Sequence, residues 1–162
     1  MNEGYTYREQ IAQRATGRRL DRYLSERYGH STLDEWREHI VAGRVVVDGC
    51  RADPDTVLCF GQHLEWHRPP WDEPDAPLTF QILHDEGGVL IIDKPAGLPT
   101  MPGGGFLEHT LVHQLRLLDA DASPMHRLGR WTSGAVLCSR SPAVGAHIAA
   151  QFQRRSIDKR YR

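Results

Sequence analysis

Cysteine is scarce in this chain of 162 residues: Cys50, Cys59 and Cys138 are the only three, and no two form a CxxC pair. That excludes a disulfide framework and gives no zinc or thioredoxin-like motif, so all three are read as reduced thiols. Long apolar runs are absent too. The longest unbroken ones are four residues, such as Val89 to Ile92, whereas a membrane-spanning helix needs about twenty. The first fourteen residues, MNEGYTYREQIAQR, lack the apolar core of a secretory signal. The expectation is a cytoplasmic protein with no membrane partner. No internal repeat is visible, and 40% hydrophobic with 25% charged residues is the balance of a folded domain, not of a disordered chain, a collagen repeat or a coiled coil. Lysine is nearly missing, since 18 of the 20 basic residues are arginine. Arginine's planar fork suits phosphate oxygens and base stacking, although a genome rich in arginine codons would produce the same bias.

What is present is unevenly placed. Residues 52–122 carry 3 basic and 12 acidic side chains, and residues 123–162 carry 8 and 1, within a net charge of -1. A basic final quarter suits an anionic partner, nucleic acid above all, or a solvated charged face. Leu20, Tyr23, Leu24 and Tyr28 form one stripe of a helix ending near Gly29. Thr32 and Glu35 have capping-box spacing, Leu33, Trp36 and Ile40 form the next apolar face, and Gly43 suits a left-handed helix end. The period then drops to two. A β-branched run from Arg44 to Val47, a hairpin turn at Asp48-Gly49, and further short strands over residues 50–67 follow. The stretch RPPWDEPDAP at 68–77 reads as a linker between a module at 1–67 and another at 78–162. In the second, TFQILH and VLIID are strands joined at Asp85 to Gly88. His109 to Leu118 reads as a helix, Gly134 to Ser139 as a strand, and the segment after Ser141-Pro142 as a helix. The fold class is α+β: a helix-helix-sheet unit, then a mixed, mainly antiparallel sheet with flanking helices.

The segments RLDRYLSER and IVAGRVVVDG resemble the S-four-type RNA-binding domain, through Arg19, Leu20, Asp21, Ile40, Gly43, Val45, Val47 and Gly49. That family presents basic residues of two helices to structured RNA. The resemblance makes Arg18, Arg19, Arg22, Arg37 and Arg44 the candidate RNA contacts, while Leu20, Ile40, Val45 and Val47 also read simply as core. Contacts of this kind hold phosphates and give salt-dependent affinity with little sequence reading.

LIIDKPAGLPTMP, HRLGRWTSGAVLCSRS and KRY occur in the order and at the spacing of the RluA-type pseudouridine synthases, whose pattern reads roughly KPaGl, HRLDrdTSG and KxY. An S-four-like domain precedes the catalytic domain in many members. The resemblance implies isomerisation of uridine to pseudouridine in ribosomal or transfer RNA, without metal, nucleotide or other cofactor. His126 and Arg127 would join the RNA contacts, and Gly129, Arg130 and Tyr161 would occupy the catalytic positions. Tyr161 matches the tyrosine that stacks on the uracil in that family. Gly129 stands where the family has its catalytic aspartate, and glycine can neither attack carbon nor accept a proton. Trp131 replaces a residue that is often small or acidic.

Three explanations of Gly129 follow: an inactive RNA-binding protein, a carboxylate supplied from Asp93, Asp119 or Asp121, or a subgroup with the sequence HRLGR. The subgroup is the preferred expectation because the surrounding motif is intact. The family domain continues past the position of Arg162, so a fragment of a longer synthase is a further expectation. Other patterns are weaker. His109 and His113 have i,i+4 spacing, but Thr110 replaces the glutamate of HExxH, and Gly103 to Gly105 lack a following GK[ST]. Oligomeric state and the target uridine are not legible in one chain.

Overall fold

The apolar positions fall into two separate cores, and the chain divides with them. The computed structural model describes every residue except Lys159, Tyr161 and Arg162. Residues 3–71 form one compact unit, and the chain from Asp72 onward forms the other.

The first unit contains β1 (Tyr5–Gln10), α1 (Leu20–Arg27), α2 (Leu33–Val41), β2 (Val45–Val47), β3 (Cys50–Arg51) and β4 (His63–Arg68). Its sheet has the order β1-β4-β2-β3, antiparallel throughout. Helix α2 starts with a complete capping box: the Glu35 N–H donates to Thr32 Oγ1, and the Thr32 N–H donates to the Glu35 carboxylate at 2.6 Å. The helix stops at Gly43, whose φ of 71° places it in the left-handed region that glycine tolerates best. Asp48 (φ 50°) and Gly49 (φ 76°) turn β2 into β3. Leu20, Leu24, Trp36, Ile40, Val45, Leu58 and Leu64 close the core. The sequence pattern starts this unit with a helix, but β1 precedes it. Its partner β4 lies some sixty residues on, with Tyr7 opposite Trp66, and a ladder over that separation leaves no local signal.

The second unit contains β5 (Gln81–Glu86), β6 (Val89–Lys94), α3 (Leu111–Leu118), β7 (Ser123–Pro124), β8 (Gly134–Ser139) and α4 (Pro142–Gln153). The strand order is β5-β6-β8-β7. The expected sheet is mixed but mainly antiparallel; among the described residues every ladder is antiparallel, because β5 and β6 form a hairpin and β8 runs back along β6. That hairpin is tighter than Asp85 to Gly88. The strands pair as far as Glu86 and Val89, leaving Gly87 and Gly88, both with positive φ, as the turn. Thr110 caps α3 by accepting from the His113 N–H, so the helix begins at Leu111 and not at His109. Ser141 caps α4, with Pro142 in its first turn. The core gathers Leu90, Ile92, Leu98, Leu111, Leu115, Val136 and Cys138, and burial pushes the Cys138 thiol up to about 12.

The proline-rich stretch divides between the units. From Asp72 it belongs to the second, where the Glu73 carboxylate accepts from the backbone N–H groups of Leu107, Glu108 and His109 at 2.7 to 2.9 Å. Among the described residues no helix is long and apolar enough to cross a membrane, and no three His, Cys, Asp or Glu gather as metal ligands.

Candidate active site

Strand alternation along β6 sends Leu90, Ile92 and Lys94 into one face. Lys94 is fully buried, and its Nζ donates to the carbonyls of Pro95 and Leu98, both at 2.8 Å, and Arg130 at 3.3 Å. Burial holds its pKa below the usual lysine value. Because Lys94 pairs with Gly134 across the β6–β8 ladder, the loop leaving β6 and the loop entering β8 lie at the same end of the sheet. The two loops carry the KPAGLPT and HRLGRWTS sequences, and they are stitched together by more than Lys94. The Gly97 N–H donates to Arg130 O at 2.8 Å, Arg130 Nε donates to Gly97 O at 3.1 Å, and Thr100 Oγ1 donates to Leu128 O at 2.9 Å.

Gly129 sits exposed on the second loop. Its carbonyl accepts from the Thr132 N–H at 3.1 Å, closing a tight turn. Its φ is outside the left-handed region, and a Cβ there would meet only Thr132 Oγ1, at 3.3 Å. An aspartate side chain therefore fits this backbone. His126 is turned inward: its Nε2 accepts from the Leu137 N–H at 3.1 Å, which puts the proton of a neutral ring on Nδ1, and its ring meets Phe152 edge-on. Arg130 is also turned inward. Besides the bond to Gly97, its Nη2 donates to Asp75 O at 3.4 Å, and its guanidinium lies 4.5 Å from the Phe106 ring centroid and 4.6 Å from that of Trp131. Arg127 is exposed and makes no hydrogen bond or ion pair among the described residues. Tyr161 lies outside the described residues.

The alternative carboxylates do not share this loop's position. Asp119 accepts from Arg140 Nη1 at 3.0 Å and from the Asp121 N–H. The chain that follows them pairs Ser123 with Ser139, at the far end of β8. Six strand residues span about 17 Å, so Asp119 and Asp121 belong to the other end of the sheet. Asp93 is at the right end but on the sheet face opposite Lys94. There it lines a shallow pocket of about 250 Å³ with Thr79, Phe80, Gln81 and Pro95.

In the first unit the candidate arginines are organised by an acid. Asp21 is fully buried and accepts from Arg19 Nε and Nη2 at 3.3 Å, Arg37 Nε at 3.0 Å and the Arg22 N–H at 2.7 Å. Burial alone would raise its pKa, but the bonds from Arg19, Arg37 and the Arg22 backbone outweigh that and hold it below the usual carboxylate range. Arg18 pairs with Glu26, and Arg44 Nη1 lies 3.2 Å from His39 Nδ1. The Arg22 guanidinium is exposed and has no partner among the described residues. Burial first, then the nearby Arg44, keeps the His39 pKa low. Asp21 and Lys94 are the organising residues: the motif reading included both in its matched segments but gave neither a role. Both had a signal: an acid set among Arg18, Arg19 and Arg22, and a lysine in the apolar register of a strand.

Residues 88–162 match the model of the family described as RNA pseudouridylate synthase. The chain is 43% identical to an uncharacterised RNA pseudouridine synthase of Synechocystis over 86% of its own length and 49% of the relative's. It is 35% identical to RNA pseudouridine synthase 5 of Oryza sativa over 93% of this chain and 43% of that protein. With ribosomal large subunit pseudouridine synthase D of Xanthomonas campestris the identity is 32%, over 91% and 47%. The chain spans about half the length of these curated relatives. By these matches, the chain belongs to the RNA pseudouridine synthase family.

Proposed function

We propose that the protein isomerises uridine to pseudouridine in structured ribosomal or transfer RNA, with its first unit serving as an S-four-like RNA-binding domain. The observation that carries this reading is the pair of loops locked around Lys94, which holds the HRLGR turn rigidly at one sheet end and keeps Gly129 and Arg127 at the surface. The names of the relatives point to the same RNA classes: one acts on the ribosomal large subunit, and another, from Saccharomyces cerevisiae, is a tRNA pseudouridine(31) synthase. The reaction breaks the N1–C1′ bond of uridine, turns the uracil and joins C5 to C1′, with the C5 proton leaving to N1 or water. It is redox-neutral and transfers no group from outside, so its balance calls for no cofactor.

Within this chain, Arg19, Arg22 and Arg37 hold phosphates from the first unit. In the second, Arg127 supplies an exposed cation beside the turn, while His126 and Arg130 act as positioning residues through the backbone groups they bind. An unpaired uridine drawn from its stack, at a cost of a few kcal/mol, would meet the exposed turn at 129–132. A second reading, a non-catalytic RNA-binding protein, is favoured by one specific observation: the turn has no carboxylate at Gly129.

Tritium release from RNA labelled at uridine C5 separates the two. Release by the chain as it stands supports the synthase. Release only after Gly129→Asp assigns the defect to the missing carboxylate and makes the native chain a binder. Silence from both, with RNA bound, overturns the synthase reading.

A further inference from the structure

The indole of Trp131 occupies an unusual position for so large an apolar group. Trp131 is 73% exposed, two residues after Gly129, in the turn closed by the Gly129–Thr132 hydrogen bond. Exposure on that scale usually goes with a mobile side chain, yet this one is backed on two sides. The Arg130 guanidinium lies 4.6 Å from its ring centroid. Arg130 is itself immobilised by the carbonyls of Gly97 and Asp75 and by the Phe106 ring. Gly97, at φ +94°, brings bare backbone beneath the ring: a Cβ built there would stand 3.7 Å from Trp131 Cζ3 and 3.2 Å from Pro77. The indole therefore has a cation behind it and solvent over most of its surface.

A rigid exposed aromatic beside a cation is the feature that proteins use to hold unpaired bases, because every base offers a π-face and stacking needs no particular sequence. The same loop also offers a cation: Arg127 is exposed and makes no ion pair among the described residues. We propose that Trp131 is a stacking platform for an unpaired RNA base adjacent to the uridine presented at the Gly129 turn. This rests on the RNA-modifying reading above and deepens it, by giving the site a contact for a flanking nucleotide that is separate from the uracil itself. Trp131 contributes no cation, so it adds affinity without adding to the salt dependence.

The test uses the full chain and an RNA hairpin whose loop carries a fluorescent purine analogue next to an unpaired uridine. Binding of the wild type should quench the analogue through stacking. Trp131→Ala should abolish the quenching and weaken binding about 5- to 150-fold, the equivalent of stacking one base, while leaving the slope of affinity against salt unchanged. Trp131→Phe keeps a π-face and should retain most of both signals. Because the side chain is exposed, thermal unfolding of both variants should match the wild type. Equal quenching and equal affinity in Trp131→Ala would overturn the proposal and leave the indole to a protein surface. Failure of the wild-type chain to bind any RNA is a different result: it removes the RNA-modifying reading itself, and the platform with it.

Discussion

In the first unit a buried acid holds arginines out at the surface, whereas in the second a buried lysine and an arginine are turned inward onto backbone carbonyls. Asp21 takes Arg19 and Arg37 in ion pairs that leave both side chains about half exposed. Lys94 and Arg130 are instead used up in construction, because the loops at 94–100 and 126–133 carry carbonyls that no helix or sheet satisfies. The contrast teaches that basic residues in a motif are not equivalent. Arg127 and Arg130 stand three positions apart in one loop, and of the two only Arg127 is exposed.

The comparison breaks most visibly at Lys94. Lys94→Met keeps most of the side chain's length but takes the donor from the Pro95 and Leu98 carbonyls, while Arg130 O keeps the Gly97 N–H; it should destabilise the second unit by about 3–5 kcal/mol. In urea titrations this lowers the second unit's transition and spares the first; an unchanged transition would deny Lys94 its role as a clasp. Asp21→Asn is the matching change in the first unit. It removes the charge shared by Arg19 and Arg37, with an expected loss of about 2–3 kcal/mol and weaker RNA binding in filter or fluorescence titrations. Loss of stability with RNA affinity intact would show that Asp21 supports the fold alone.

Acid sharpens the difference further. Burial by itself would raise the Glu73 pKa, but the N–H groups of Glu108, Leu107 and His109 bring it down to about 2. A carboxylate depressed in the folded state stabilises fully above its unfolded pKa, near 4.5, and that contribution is lost as pH falls from there toward 2. On the order of 2 kcal/mol is at stake once partial exposure is allowed for. Glu73→Gln should flatten the pH dependence of the second unit's stability across this window, which thermal melts would register. The smallest expected effect is on folding in Gly129→Asp. With φ outside the left-handed region and only the Thr132 hydroxyl to shift, its melting should correspond to a change of no more than about 0.5 kcal/mol; a large loss would mean that the turn requires glycine.

Local chemistry made much of the fold legible. The capping box at Thr32 and Glu35, the left-handed Gly43, the Asp48-Gly49 turn and the Ser141-Pro142 helix start were readable because each is decided by a few neighbouring residues. β1 and β7 were not, since each exists only through a partner elsewhere in the chain, β4 and β8. The site was legible as motifs in order but not as geometry. Nothing in HRLGR says that His126 turns toward Leu137 and Phe152, or that Arg130 is held between two aromatic rings.

The sequence alone determined the composition of both modules, the absence of a side chain at position 129 and the order of the motifs, because these are facts of residue identity and spacing. Tertiary structure decided which cations face outward, which acids lie at the wrong end or face of the sheet, and that Gly129 has a backbone an aspartate could share. The reason is physical. Burial, register and hydrogen-bond satisfaction are properties of groups brought together from distant parts of the chain, and neither Lys94 at Arg130 O nor Asp21 between Arg19 and Arg37 exists until the chain has folded.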